Sequence, residues 1–81
     1  MATEKIEIRE WLERGKKQGA THLIVVCDTW DYEDYPVFVN PKQNVREVES
    51  EHKKDMQKVM EVYNLSMDWD TQLNQFRSFN Y

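Results

Sequence analysis

The sequence predicts a small α+β domain, an antiparallel hairpin packed on helices. Three observations carry this. The run "HLIVVC", residues 22–27, is short, β-branched and bounded by turn residues, as strands are. A second run of that kind, "YPVFVN" at 35–40, follows closely enough for a hairpin with a loop of about six residues. Helical spacing of apolar residues flanks the pair on both sides. At 81 residues the chain is expected to be a single domain, 1–81. A chain of this size buries only about 60–65% of the surface it exposes when unfolded, and such domains often need a disulfide, a metal or a second subunit. The single cysteine, Cys27, excludes an intrachain disulfide. His22 and His52 stand alone and far apart, so structural zinc is not indicated. Oligomerisation remains as the supplement.

The elements follow in order as α-β-β-α-α. Thr3 is placed to cap a first helix over about 3–18, with Glu4 and Glu7 in its first turn. Ile8, Trp11, Leu12 and Gly15 share one face. Lys16 and Lys17 suit its C-terminal end, and Gly19 suits the position just past it. In the first strand Leu23, Val25 and Cys27 point one way and Ile24 and Val26 the other; both faces are apolar and expect cover. Pro36 lacks a donor, so the second strand belongs at a sheet edge or starts at the proline. Asn44, with Glu47 three residues on, caps the next helix. Val45, Val48, His52, Met56, Val59, Met60 and Tyr63 extend that helix as a stripe over about 45–63. Ser66 caps a last helix with Asp68 in its first turn and a ragged apolar side of Leu73, Phe76 and Phe79.

Two strands make a poor sheet, and the first has an edge that no proline blunts. Pairing 22–27 with its copy about a two-fold axis would extend the sheet to four strands. A homodimer or higher symmetric oligomer is therefore expected; the alternative is that a helix or the chain's own tail covers that edge.

With 15 acidic against 11 basic residues and a net charge of −4, non-specific nucleic-acid binding is disfavoured, because it depends on neutralising phosphates with Lys and Arg. No signal peptide is expected, since charges begin at Glu4. The longest apolar run, Leu23 to Cys27, is too short for a membrane span. A cytoplasmic setting with no membrane partner is the simplest expectation.

The chemistry-bearing stretch is "CDTWDYEDYPVF", 27–38, where Asp28, Asp31, Glu33 and Asp34 share a loop with Trp30, Tyr32 and Tyr35. Its spacing is wrong for a calcium loop and it lacks the glycine of the sharp turn, so no metal site is assigned. Either Asp28 or Asp31 holds the turn by accepting backbone N–H groups, or the loop meets a ligand or partner. A purine could stack on Trp30 or Tyr32 while Asp28 or Asp31 takes the ribose hydroxyls. Similarly, either Trp30 and Tyr35 fold back over the small core or they face outward. Lys16, Lys17, His22, Lys42, Arg46 and Arg77 are the candidate cations for a phosphate, within one chain or across a subunit interface; of these Lys17, His22 and Arg46 are assigned to the ligand site. His52 is expected as a satisfied core histidine, and Cys27 as an inert packed thiol. Met56, Met60 and Met67 with Trp69 are expected to fill the core, the alternative being a groove for a partner. Phosphate-loop, Rossmann and zinc motifs are absent, and no catalytic residue or cofactor is assigned; the chain is expected not to be an enzyme.

"GATHLIVVCDTWDYEDYPVFV", 19–39, with "VMEVYNLSMDWDTQLNQF", 59–76, resembles small proteins encoded in tailed-phage and prophage genomes. The resemblance spans most of the chain and implies a context rather than a mechanism: a host-takeover or anti-defence factor acting in the infected cell. One such class comprises oligomeric sponges that sequester nucleotide immune signals without cleaving them. The function expected is thus sequestration of a nucleotide-type signal by Asp28, Trp30, Asp31, Tyr32, His22, Lys17 and Arg46. The alternative is inhibition or adaptation of a host protein through the acidic aromatic loop.

Overall fold

α1 (Lys5–Gln18) leads into β1 (His22–Asp28), which turns back as β2 (Glu33–Val39). α2 (Val45–Glu51), β3 (Gln57–Asn64) and α3 (Trp69–Leu73) complete the chain. The structure, a computed structural model, describes residues 4–53, 56–75 and 77–81. The α+β class holds, with three helices and a three-stranded antiparallel sheet of order β2-β1-β3.

α1 ends where the sequence places it: Gly19 takes the left-handed conformation (φ 77°), and its N–H and that of Ala20 reach the carbonyls of Lys16 and Gly15. Only glycine enters that region without a Cβ penalty. The expected Thr3 cap lies outside the described residues, and Glu4, at the N-cap position, makes no side-chain cap bond. Gly15 marks a close approach, since a Cβ there would come within 3.0 Å of the Phe38 ring and 3.3 Å of Leu65. Asn44 caps α2 as expected, its Oδ1 accepting from the N–H groups of Arg46 and Glu47 at 2.9 and 3.3 Å. α3 is capped by Asp68 rather than Ser66, with Thr71 N–H donating to its carboxylate at 3.1 Å.

The helix expected over 45–63 is corrected: it stops at Glu51, and 57–64 is a strand. The pairing slips between Val25 and Val26, so that Val25 faces Glu61 while Val26 faces Val59 and Met60 is the extra residue of a bulge. As a result Val59 and Val62 lie on one face and Met60 and Tyr63 on the other. Spacing of three within each face is what a helix also shows, and this explains the misassignment.

β3 occupies the β1 edge that was expected to pair with a second copy. β1 is the central strand, so a dimer formed by pairing 22–27 with itself is overturned; the cover comes from within the chain. Pro36 sits on β2, an edge strand, as expected. Residues 78–80 run along the outer side of β3, Val62 N–H donating to the Ser78 carbonyl at 2.7 Å and Asn80 N–H to the Val62 carbonyl at 3.0 Å.

The sheet carries two cores. Ile8, Leu12, Leu23, Val25, Tyr63 and Leu73 pack on the side of α1 and α3. Ile24, Val26, Val39, Val48, Val59 and Val62 pack on the side of α2. Met56 and Met67, expected in the core, are instead exposed. Among the described residues no helix is long and apolar enough to cross a membrane.

Candidate functional site

The antiparallel register His22↔Val39 and His22↔Asn64 brings three chain segments to one end of the sheet. There the last turn of α1, the start of β1 and the β3–α3 connection enclose an open cleft of about 530 Å³, lined by Lys16, Thr21, His22, Asn64, Ser66 and Trp69 among others. The volume lies within the range of about 300–1,000 Å³ usual for small-molecule pockets. Each wall is fixed by hydrogen bonds. Thr21 N–H donates to the Val39 carbonyl at 2.7 Å, and Leu65 N–H to the Thr21 carbonyl at 3.0 Å. Gln72, fully buried, grips the backbone of Asn64 on both sides, accepting from its N–H at 2.8 Å and donating to its carbonyl at 2.9 Å. Trp69 is oriented by its indole N–H, which donates to the Leu65 carbonyl at 3.1 Å. The Lys16 ammonium stands 5.9 Å from the centroid of that ring, within cation–π range.

The carbonyl end of α1 faces this region, which disfavours an anion. Two of those carbonyls are occupied by the Gly19 and Ala20 N–H groups, and Lys16 and Lys17 supply the opposing charge. His22 Nδ1 shares a hydrogen bond with Thr21 Oγ1 at 2.9 Å, and its Nε2 is buried without a hydrogen-bond partner among the described residues. Burial lowers the His22 pKa, and the nearby Tyr81 backbone acts in the opposite direction without reaching bonding geometry at Nε2. The shift favours the neutral ring, so His22 brings no fixed charge to the cleft.

The seven expected ligand residues fall in three places. His22 lines the cleft, and Lys17 lines a shallower depression beside it with Glu13, Lys16 and Trp69. Asp28, Trp30, Asp31 and Tyr32 sit at the far end of β1, roughly 20 Å away at about 3.3 Å per strand residue. Arg46 lies on α2, its guanidinium 4.0 Å from the centroid of the Tyr81 ring. The Tyr81 hydroxyl donates to the buried Glu49 carboxylate, and Lys53 approaches the same carboxylate at 3.5 Å. Burial, then the Glu49 bond and charge, push the Tyr81 pKa up to about 12. Arg46 is thus engaged in fastening the tail to α2.

At the far end the loop is four residues, 29–32, rather than six. Asp28 holds the turn, its Oδ1 accepting from Trp30 N–H at 2.9 Å. Of the two rings expected to act together, Tyr35 packs against the α2-side core while Trp30 faces outward. Burial and, next, Asp34 raise the pKa of the half-buried Cys27 thiol. His52 meets Tyr35 edge-on, the centroids 6.4 Å apart, but its Nδ1 is buried without a partner among the described residues, so among these it is not the satisfied core histidine expected. Among the described residues no three His, Cys, Asp or Glu side chains converge as metal ligands would.

No local pattern in the sequence marks Asn64 or Ser66 as a site residue, and Trp69 reads there only as core or as part of a partner groove. Their proximity to His22 follows from the β1–β3 register, a pairing of residues about forty positions apart that no local pattern announces. Comparison of the chain with protein-family models, with curated proteins and with solved structures finds no match to any of the three.

Proposed function

We propose that the chain is a binding protein that sequesters a small nucleotide-type anion in the cleft at the His22 end of the sheet. The supporting observation is the Lys16 ammonium poised 5.9 Å from the Trp69 ring at the mouth of a cleft edged by hydroxyl, amide and imidazole groups. A ring face suits a base, an ammonium suits a phosphate, and Thr21, Asn64 and Ser66 suit sugar hydroxyls. These groups recognise a ligand rather than transform it, which supports sequestration over turnover. The acidic loop is the less suitable end for such a ligand, because its carboxylates would repel phosphate.

A thermal-shift series with mononucleotides, cyclic dinucleotides and cyclic ADP-ribose isomers tests this. A ligand at 100 times its dissociation constant stabilises the fold by about 2.7 kcal/mol. Lys16 is exposed, so Lys16→Glu leaves the fold intact and is expected to abolish the shift. No shift with any of these at millimolar concentration, or a shift that Lys16→Glu leaves in place, defeats the proposal.

A further inference from the structure

The opposite end of the sheet carries a different surface. The register Asp28↔Glu33 and Asp28↔Gln57 places the β1–β2 turn beside the start of β3, and Thr29 N–H donates to the Met56 carbonyl at 3.0 Å, tying the two segments together. Trp30, Tyr32 and Met56 are 72%, 68% and 52% exposed there. Large aromatic side chains bury about 150–250 Å² each when packed, so this one end leaves much apolar area in water. The Asp28 turn bond fixes the backbone that presents Trp30. An exposed apolar group of this kind, rimmed by polar residues, marks an interaction surface.

The rim identifies the occupant. Asp28, Asp31 and Glu33 flank Trp30 and Tyr32 in the chain, and from Leu23 to Pro41 the sequence contains no Lys or Arg. The cation placed nearest by register among the described residues is Lys58, opposite Cys27. A nucleic acid or an anionic membrane would be repelled, and a neutral apolar partner would desolvate carboxylates without pairing them. A guanidinium satisfies both components, since its plane stacks on aromatic faces and its fork of donors matches carboxylates.

We propose that the Trp30–Tyr32–Met56 tip docks an arginine-bearing segment of a partner protein. This does not depend on what the cleft binds, and its test leaves the cleft untouched. The probe is a labelled peptide of alternating Arg and Gly, titrated with the full chain and followed by fluorescence anisotropy, beside peptides with Lys or Glu in place of Arg. The Arg peptide is expected to bind, to weaken as salt rises, and to bind several-fold tighter than the Lys peptide, with the Glu peptide inert. Trp30→Ala and Tyr32→Ala are each expected to weaken it about tenfold, as loss of a central aromatic anchor does. Trp30 is exposed, so the urea midpoint of Trp30→Ala should barely move, while Lys16→Glu, in the cleft, should leave peptide binding unchanged. Arg-peptide affinity unaltered by Trp30→Ala, or equal to that of the Lys peptide, overturns the proposal. So does self-association of the free chain that Trp30→Ala abolishes, because the occupant would then be a second copy.

Discussion

The two ends of β1 are built in opposite ways. At the His22 end, hydrogen bonds from five segments converge: Thr21 with Val39 and Leu65, Asn64 with Gln72, and Asn80 with Gln72 at 3.1 Å. At the Asp28 end, Trp30 N–H closes the turn on the Asp28 carboxylate and Thr29 N–H reaches the Met56 carbonyl. The described non-glycine residues with positive φ, Tyr32 at 56° and Met56 at 64°, both lie there. One end is gathered around the buried Gln72 side chain and shapes a cleft; the other is a turn that presents side chains outward. Backbone order at the first should therefore depend on single buried polar groups, and at the second hardly at all.

The strongest way to break this contrast is Gln72→Ala. It removes the acceptor for Asn64 N–H and for Asn80, and the donor to the Asn64 and Asp68 carbonyls. Stranded buried backbone groups cost about 1–3 kcal/mol each, so urea denaturation should show a loss of about 3 kcal/mol, given partial access of water to the vacated space. A loss below about 1 kcal/mol would mean that Gln72 does not hold this end together.

That dependence on long-range partners also decides what the sequence reveals. α1, β1, β2 and the Asn44 cap are written in local signals: a C-terminal glycine, β-branched runs, a proline at an edge, an Asn with Glu three residues on. β3 is hidden because its bulge at Met60 converts the strand period of two into spacings of three. Val48, His52, Met56, Val59 and Tyr63 then continue the α2 stripe although Met56 has left the core. Since β3 carries Asn64 to His22, missing the strand also hid the cleft. The loop residues Trp30, Asp31 and Tyr32 were legible as a group because they are neighbours in sequence; joining them with Lys17 and Arg46 was not justified, because a strand's length separates them.

A smaller effect is expected at the tail. Tyr81→Phe deletes the hydroxyl that donates to buried Glu49 and keeps the ring beneath Arg46. A hydrogen bond to a charged acceptor contributes about 1.5–3 kcal/mol, and Lys53 remains as a second partner, so about 1.5 kcal/mol should be lost by urea denaturation. If Tyr81→Phe is neutral, the tail is not fastened through Glu49.

pH offers a milder probe of the His22 end. The folded pKa of His22 lies below its ordinary value of 6.5 because burial disfavours the charged ring. The unfolded chain therefore binds the extra proton first, and stability rises with pH. The contribution is complete above pH 6.5 and is lost as pH falls from there through the folded value. Melting curves between pH 7.5 and about 5.5 should decline more steeply for the native chain than for His22→Asn. Parallel curves would mean that the ring is as well solvated folded as unfolded.

The gentlest test lies at the Asp28 end. Tyr32 holds φ 56° with a Cβ, a conformation costing about 1–2 kcal/mol for a residue with a side chain. Glycine relieves that cost but gains freedom in the unfolded chain, worth about 0.5–1 kcal/mol in the other direction. Tyr32→Gly should therefore leave stability unchanged or raise it by up to about 1.5 kcal/mol, while removing a ring from the proposed docking tip. Stability and Arg-peptide affinity would then move independently at this position. At Gln72, by contrast, losing the side chain should degrade both the fold and the cleft. A loss of more than about 1 kcal/mol in Tyr32→Gly would show that the ring packs on the domain, and the division between a held end and a presenting end would fail there.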